Sequence, residues 1–164
     1  MTWYGALEWT GNIGVIGEIT AQYAGLAPAD SQLDPYFALA EQLDLPVDIH
    51  TGTGPPAGGL TYPDHLLSVG DPLLVEPVLR RYPRLRLYLM HAGYPYRAST
   101  IAILHKYPQV HADVSAINWR MPRAAFHDYL RTLVVSGFVD RLMFGSDAEA
   151  WPDAIAARGV SGRR

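Results

Sequence analysis

Four short stretches of this chain end on side chains that can carry protons or hold cations. "GVIGEIT" (14–20) presents Glu18, "PVDIH" (46–50) ends on His50, "LRLYLMH" (85–91) ends on His91 and "RLMFGSD" (141–147) ends on Asp147. A fifth stretch, "VHADVS" (110–115), carries Asp113 and Ser115. Carboxylates and neutral imidazoles are the oxygen and nitrogen donors that a zinc-like divalent ion takes, and the groups that act as general acids and bases near neutral pH. The chain has no cysteine, so thiolate ligands, cysteine nucleophiles and disulfides are excluded. Singly, each residue has an ordinary explanation. A lone histidine at a strand end is more often structural than a ligand, Glu18 alone is a loop carboxylate in an ion pair, and Asp147 alone is an N-cap for a helix near Trp151 and Pro152. The coincidence carries the weight, because a buried parallel strand is otherwise an apolar run.

The elements that would position these residues alternate along the chain. The five stretches are bounded by glycine, proline and polar residues and read as strands. Between them lie helical patterns. One starts at Asp34-Pro35, with Asp34 as N-cap and Phe37, Ala40 and Leu43 on one face. A second starts at Asp71-Pro72 and runs to about Arg81, and others cover 98–107 and 122–137. "RRYPRLRLYL" and "HKYPQVHADV" form a weak repeat that places a helix-stopping proline before a strand. Strand, loop, helix, turn, strand is the βα unit of a parallel sheet, and ligands gather at the C-terminal strand ends of such sheets. Alternation places Asp48 with His50 and Met143 with Gly145 and Asp147, so several strands aim an acid or imidazole at one mouth. Gly145 and Ser146 leave room there for Asp147.

Around this mouth, Asp48 and Asp113 are expected to orient ligands or arginines through hydrogen bonds. Trp119, Arg120 and Arg97 lie on loops after strand ends, where they would meet an anionic or aromatic substrate group or simply pack. The long loop 51–70 is expected to gate substrate. His65, within it, is the histidine to watch, whereas His105, His111 and His127 read as structural or surface residues.

Bulk composition narrows the class. At 164 residues, 49% hydrophobic and 18% charged, the chain suits one globular domain. A net charge of −3 gives no footprint for nucleic acid or acidic membrane. No G-x-G-x-x-G follows the first strand, which argues against a dinucleotide site. No signal-like or 18-residue apolar run is present, so a cytoplasmic protein acting on a small molecule is expected.

The stretches "GEI", "FALAEQLDLPVDIHTG", "LYLMHAGYP", "VHADVS" and "LMFGSD", in this order over roughly residues 14–152, resemble the amidohydrolase superfamily. Within it, the resemblance is to the amidohydrolase-related group that includes aminocarboxymuconate-semialdehyde and resorcylate-type decarboxylases. It implies an α/β fold of the TIM type, a (β/α)8 barrel, of which the five strands here correspond to the fourth through eighth. It also implies a divalent metal cofactor, zinc foremost. His50 maps to a metal ligand. His91 maps to a second ligand or to the residue that positions the attacking water, and Asp147 to a metal ligand that shuttles the proton. Glu18 maps to an additional ligand, although Thr20 stands where relatives have a second glycine. The family's His-x-His pair on the first barrel strand has no counterpart, since no two histidines here are separated by one residue.

The resulting expectation is a single partial barrel domain over 1–164, with a lead-in over 1–13, an irregular tail over 153–164 and the first barrel strands lacking. The implied activity is metal-dependent hydrolysis of an amide- or ester-like bond. The alternatives are non-oxidative decarboxylation of aromatic or muconate-like acids on the same scaffold, and a non-catalytic, oligomerising α/β domain. With five strands and an incomplete ligand set, the chain by itself is expected to bind metal weakly and turn over little, and its edge strands to stay open or pair with another copy.

Overall fold

A computed structural model describes residues 14–147. Five strands, β1 (Ile16–Ile19), β2 (Val47–Ile49), β3 (Leu87–Leu89), β4 (Val110–Asp113) and β5 (Leu142–Met143), form one sheet in the order β1-β2-β3-β4-β5, every pair parallel. Neighbours in sequence are neighbours in space, so each connection is a crossover of the βα kind. β1 and β5 each have one strand neighbour among the described residues. The lead-in over 1–13 and the tail over 153–164 lie outside the described residues.

Alternation along the strands divides the sheet into two faces. Val47, Ile49, Leu87, Leu89, Val110 and Ala112 are buried in the core with Phe37, Val75, Val78, Leu79, Ile103, Leu104 and Leu133 from the helices. The helices are α1 (Asp34–Gln42), one-turn α2 (Gly58–Thr61), α3 (Glu76–Arg81), α4 (Arg97–Lys106), one-turn α5 (Ile117–Arg120) and α6 (Arg123–Leu133). The other face carries Asp48, Tyr88, His111, Asp113 and Met143, which line a concave cavity of about 470 Å³.

Three expectations shift. The strands are shorter than their apolar runs, and the segments that follow β3, β4 and β5 carry residues at positive φ: His91 at 58°, Ala92 at 47°, Ala116 at 56° and Asp147 at 60°. Asp34 is the first residue of α1 rather than its cap; a 3₁₀ turn (Ser31–Leu33) precedes it and Asp30 does the capping, accepting from the Gln32 N–H at 2.9 Å. Asp34 instead pairs with Arg81. The helix expected over 122–137 is α6 followed by a wider turn (Val134–Phe138) that Gly137 breaks at φ 91°. Asp71 does cap as expected, accepting from Leu73 N–H at 2.9 Å at the head of a 3₁₀ turn (Pro72–Val75) that leads into α3.

Asp48 faces the concave side, where its Oδ2 accepts from the Tyr88 hydroxyl at 2.9 Å and its Oδ1 is buried without a partner among the described residues. Burial, together with the charges of Asp113 and Glu18, outweighs the Tyr88 hydrogen bond and pushes its carboxyl up to about 7. Between the ordinary aspartate value near 3.8 and about 7, the folded chain holds a proton that the unfolded chain has released. Stability therefore falls as pH rises through that window. Asp48→Asn is expected to remove the fall, so that its urea midpoint exceeds the parent's at pH 8 and approaches it at pH 5. Parallel pH profiles for the two proteins would contradict this.

Candidate metal centre

The sheet brings four of the sequence-selected residues together. Glu18, near the end of β1, His50, just past β2, and His91, just past β3, each offer one ligand atom, and these atoms lie within 4.8 Å of one another. Glu18 Oε1 is 2.6 Å from His50 Nδ1, His50 Nδ1 is 3.1 Å from His91 Nε2, and His91 Nε2 is 3.7 Å from Glu18 Oε1. Asp147 reaches the same group with Oδ1 3.9 Å from His91 Nε2. The four residues line the floor and wall of a cavity of about 870 Å³, with Tyr23, Tyr62, His65, Tyr94 and Arg120 around them.

Each imidazole is oriented by its other nitrogen. His91 Nδ1 is 3.1 Å from the Ser115 carbonyl, which can only accept, so Nδ1 carries the hydrogen and the neutral ring turns the Nε2 lone pair toward the cluster. Asp113 builds the support. Its Oδ1 accepts from His91 N–H at 3.1 Å, Ser115 N–H at 2.8 Å and Ser115 Oγ–H at 2.5 Å. His50 Nε2 lies 3.2 Å from the Tyr23 hydroxyl, leaving Nδ1 for the cluster. Two imidazole nitrogens and a carboxylate oxygen thus face one another at close range. Such an arrangement is stable only around positive charge, either a shared proton or a cation.

The spacing fits a cation. Ligands about 2.1 Å from one tetrahedral centre lie about 3.4 Å apart, and the three observed separations straddle that value. Oxygen and nitrogen donors of this kind suit a divalent ion, and the ring hydrogen bonds to Ser115 and Tyr23 are those that orient imidazole ligands. The charges of the cluster favour a positive occupant, a proton included. Burial pushes the Glu18 carboxyl up, but hydrogen bonds and charge from His50 and His91 outweigh it and bring it down to about 2. Burial pushes the His91 imidazolium down, but Glu18, the Asp147 charge and the Ser115 carbonyl outweigh that and raise it above its usual value. Burial, with the charge of Glu18, raises the Asp147 carboxyl against the opposing pull of His91 and Arg120.

The turn that presents His91 is held by residues the sequence did not single out. His91, Ala92 and Gly93 run consecutively at positive φ. Thr51 Oγ–H donates to the Met90 carbonyl at 2.5 Å, and the Thr100 and Tyr129 hydroxyls both donate to the Ala92 carbonyl, at 2.9 and 2.8 Å. All three donors are buried, so the carbonyls of an irregular turn are satisfied without water. The segment before Asp147 is held from α5. Asn118 Nδ2 donates to the Gly145 carbonyl at 3.1 Å and Trp119 Nε1 to the Ser146 carbonyl at 2.9 Å.

Trp119 is thus engaged with backbone next to Asp147. Arg120 lies over the Trp119 ring, 4.8 Å from its centroid, lines the cavity, and has Nη2 3.9 Å from Asp147 Oδ2. Arg97 is turned elsewhere: it pairs with Asp128 at 2.7 Å and lies over Tyr129. Asp48 bonds to Tyr88 on the concave face. His65 lies over the site, its ring 5.2 Å from that of Tyr23. Burial and the neighbouring His50 push its imidazolium down. Loop 51–70 is closed at its base by the Gly52 N–H, which donates to the Gly70 carbonyl at 2.8 Å.

The fold has counterparts among solved structures. In solved structures, the chain is similar to an uncharacterized TIM-barrel protein, Bb4693, from Bordetella bronchiseptica, with a TM-score of 0.57 and 20% identity over 86% of this chain and 54% of that one. It is also similar to an amidohydrolase from Burkholderia multivorans solved with bound zinc, with a TM-score of 0.54 and 20% identity over 87% of this chain and 54% of that one. The five parallel strands match about half of each of those chains. Among curated proteins it is 25% identical over 118 residues to Protein fluG of Emericella nidulans, an alignment that spans 72% of this chain and 13% of that protein. The family model described as Amidohydrolase matches residues 13–160, nearly the whole length, and so the chain belongs to the amidohydrolase family.

Proposed function

We propose that this chain carries the metal-binding half of a hydrolase site acting on an amide- or ester-like bond of a small molecule, with zinc as its ion. The single observation that carries the reading is the convergence of Glu18 Oε1, His50 Nδ1 and His91 Nε2 beneath a large cavity, each ring aimed by a hydrogen bond on its far side. When bound, a divalent ion supplies hydroxide at neutral pH and polarises a carbonyl oxygen. The chain's own residues do the rest. Glu18, His50 and His91 hold the ion. Asp147, whose carboxyl is shifted upward by burial, takes the proton of the attacking water and returns it to the leaving group. Asp113 and Ser115 keep His91 in the ligating tautomer.

Two features favour a second reading, decarboxylation of an aromatic acid. Arg120 reaches the cavity close to Asp147, where it can take a carboxylate, and Tyr23, Tyr62 and His65 form a ring cluster on the cavity wall. Carbon dioxide release from aromatic acids separates this from hydrolysis. A third possibility, a non-catalytic or self-associating domain, has neither activity. A cytoplasmic setting and a small-molecule substrate, without nucleic acid or membrane, complete the proposal. Among the described residues no helix is long and apolar enough to cross a membrane.

The test is metal-dependent stability followed by activity. Chelator-stripped chain is titrated with zinc while its thermal unfolding is followed. At 100 times the dissociation constant, binding to the folded state alone stabilises by about 2.7 kcal/mol, which for a chain of this size raises the melting temperature by roughly 5–10 °C. Hydrolysis of a panel of small amides, esters and lactones is then assayed with zinc present. A melting temperature indifferent to zinc and to chelator would sink the proposal.

A further inference from the structure

The end of β1 grips His50 from both sides. Glu18, within the strand, meets Nδ1 at 2.6 Å, and Tyr23, five residues later, meets Nε2 at 3.2 Å. Between them the chain makes one 3₁₀ turn (Ala21–Ala24) that Gly25 closes at φ 72°, its N–H bonding back to the carbonyls of Ala21 and Gln22. The Tyr23 ring is fixed independently of its hydroxyl. It lies 4.7 Å from the Tyr62 ring and 5.2 Å from the His65 ring, centroid to centroid, and 5.0 Å from His50 itself. His50 is 4% exposed, and Tyr23 is the hydrogen-bond partner of its Nε2.

We propose that Tyr23 is a positioning residue for the metal centre: its phenol oxygen accepts the Nε2–H of His50, fixing the tautomer whose Nδ1 lone pair points at the Glu18–His91 cluster. A neutral imidazole has one hydrogen and one lone pair, so whichever partner holds the hydrogen decides which nitrogen can ligate. Glu18 alone would draw the hydrogen to Nδ1 and leave the lone pair pointing away from the cluster. A phenol oxygen at Nε2 opposes that, and its hydroxyl rotates to donate when the hydrogen moves. Tyr23 thus lets one ring serve the metal-free site and the loaded one. The inference rests on the metal-centre reading above.

Tyr23→Phe removes the oxygen and keeps the packed ring. Cobalt(II), which reports on its ligands through visible absorption, is titrated into parent and variant in competition with a chromophoric chelator. Loss of an outer hydrogen bond to a ligating histidine is expected to weaken affinity about 10- to 100-fold and to shift the cobalt absorption bands. Tyr107→Phe, which removes a hydroxyl bonded to Glu76 away from the site, leaves both unchanged. The metal-free proteins are compared by nitrogen-15 spectra of their imidazoles: the His50 Nε2 resonance moves in Tyr23→Phe while that of His127 on α6 stays. If the parent takes up no cobalt, the metal-centre reading fails, and the nitrogen spectra alone decide the role of Tyr23. An unmoved His50 resonance, or equal cobalt affinity in parent and Tyr23→Phe, overturns the inference.

Discussion

Replacing His50 by alanine is expected to lower zinc or cobalt affinity on the order of 100- to 1000-fold, the largest binding effect of any single change in this chain. Structural zinc sites bind with about 10–16 kcal/mol shared among four ligands, so each ligand carries about 3 kcal/mol or more. His50 also separates Glu18 from His91, and its removal leaves a carboxylate and an imidazole 3.7 Å apart with no third donor between them. The competition titration that measures Tyr23→Phe measures this variant too. Unfolding in chelator provides the control, because the metal-free fold rests on the core of the opposite sheet face. Affinity within tenfold of the parent would show that His50 is a structural residue after all.

The second large effect concerns stability. Gly93 closes the left-handed run that presents His91, with φ at 67°, and a Cβ added there would sit 2.4 Å from Pro72 Cγ and 2.4 Å from Thr100 Oγ1. Neither neighbour can retreat easily. Pro72 is a buried ring at the head of a helical turn, and Thr100 is fully buried and donates to the Ala92 and Tyr96 carbonyls. The left-handed conformation costs a residue with a Cβ about 1–2 kcal/mol, and overpacking typically adds about 1–3. Gly93→Ala is therefore expected to destabilise the fold by about 2–5 kcal/mol and lower its melting temperature by roughly 5–15 °C. Zinc affinity should fall as well, because His91 moves with the turn. Calorimetry of the metal-free variant measures the first effect; a melting temperature equal to the parent's would mean that the turn relaxes without penalty.

The parts legible in the sequence were those encoded locally. Apolar runs marked the five strands, Asp71-Pro72 marked a helix start, and Glu18, His50, His91 and Asp147 stood out as polar residues at the ends of apolar runs. Strand length was not legible, because the strands give way to turns that contain residues at positive φ, such as His91 and Ala116, and their side chains do not advertise that. Nor was the support of the site. Thr51, Thr100 and Tyr129 satisfy the turn around His91 from 39, 8 and 37 residues away, and Trp119 reaches Ser146 across 27. A threonine or tryptophan whose partner is a distant backbone carbonyl looks like any other core residue. Asp48 shows the reverse case. Its place two residues before His50, on the same face by alternation, suggested a helper to the ligands; its carboxylate accepts from the Tyr88 hydroxyl on the neighbouring strand, a partner 40 residues away that the sequence did not point to.

The spacing of the cluster also has a consequence for how the molecule assembles. Glu18 and His50 are separated by 32 residues and His50 and His91 by 41, so the three donors meet only after two complete crossover connections have closed. Closing such long loops is an entropic toll that a nascent chain pays before any ion has a seat. Unlike a zinc finger, whose metal organises a short peptide, this chain would take up an ion only after acquiring its shape. Zinc here would act as a late clasp, slowing unfolding while leaving the rate of folding nearly untouched.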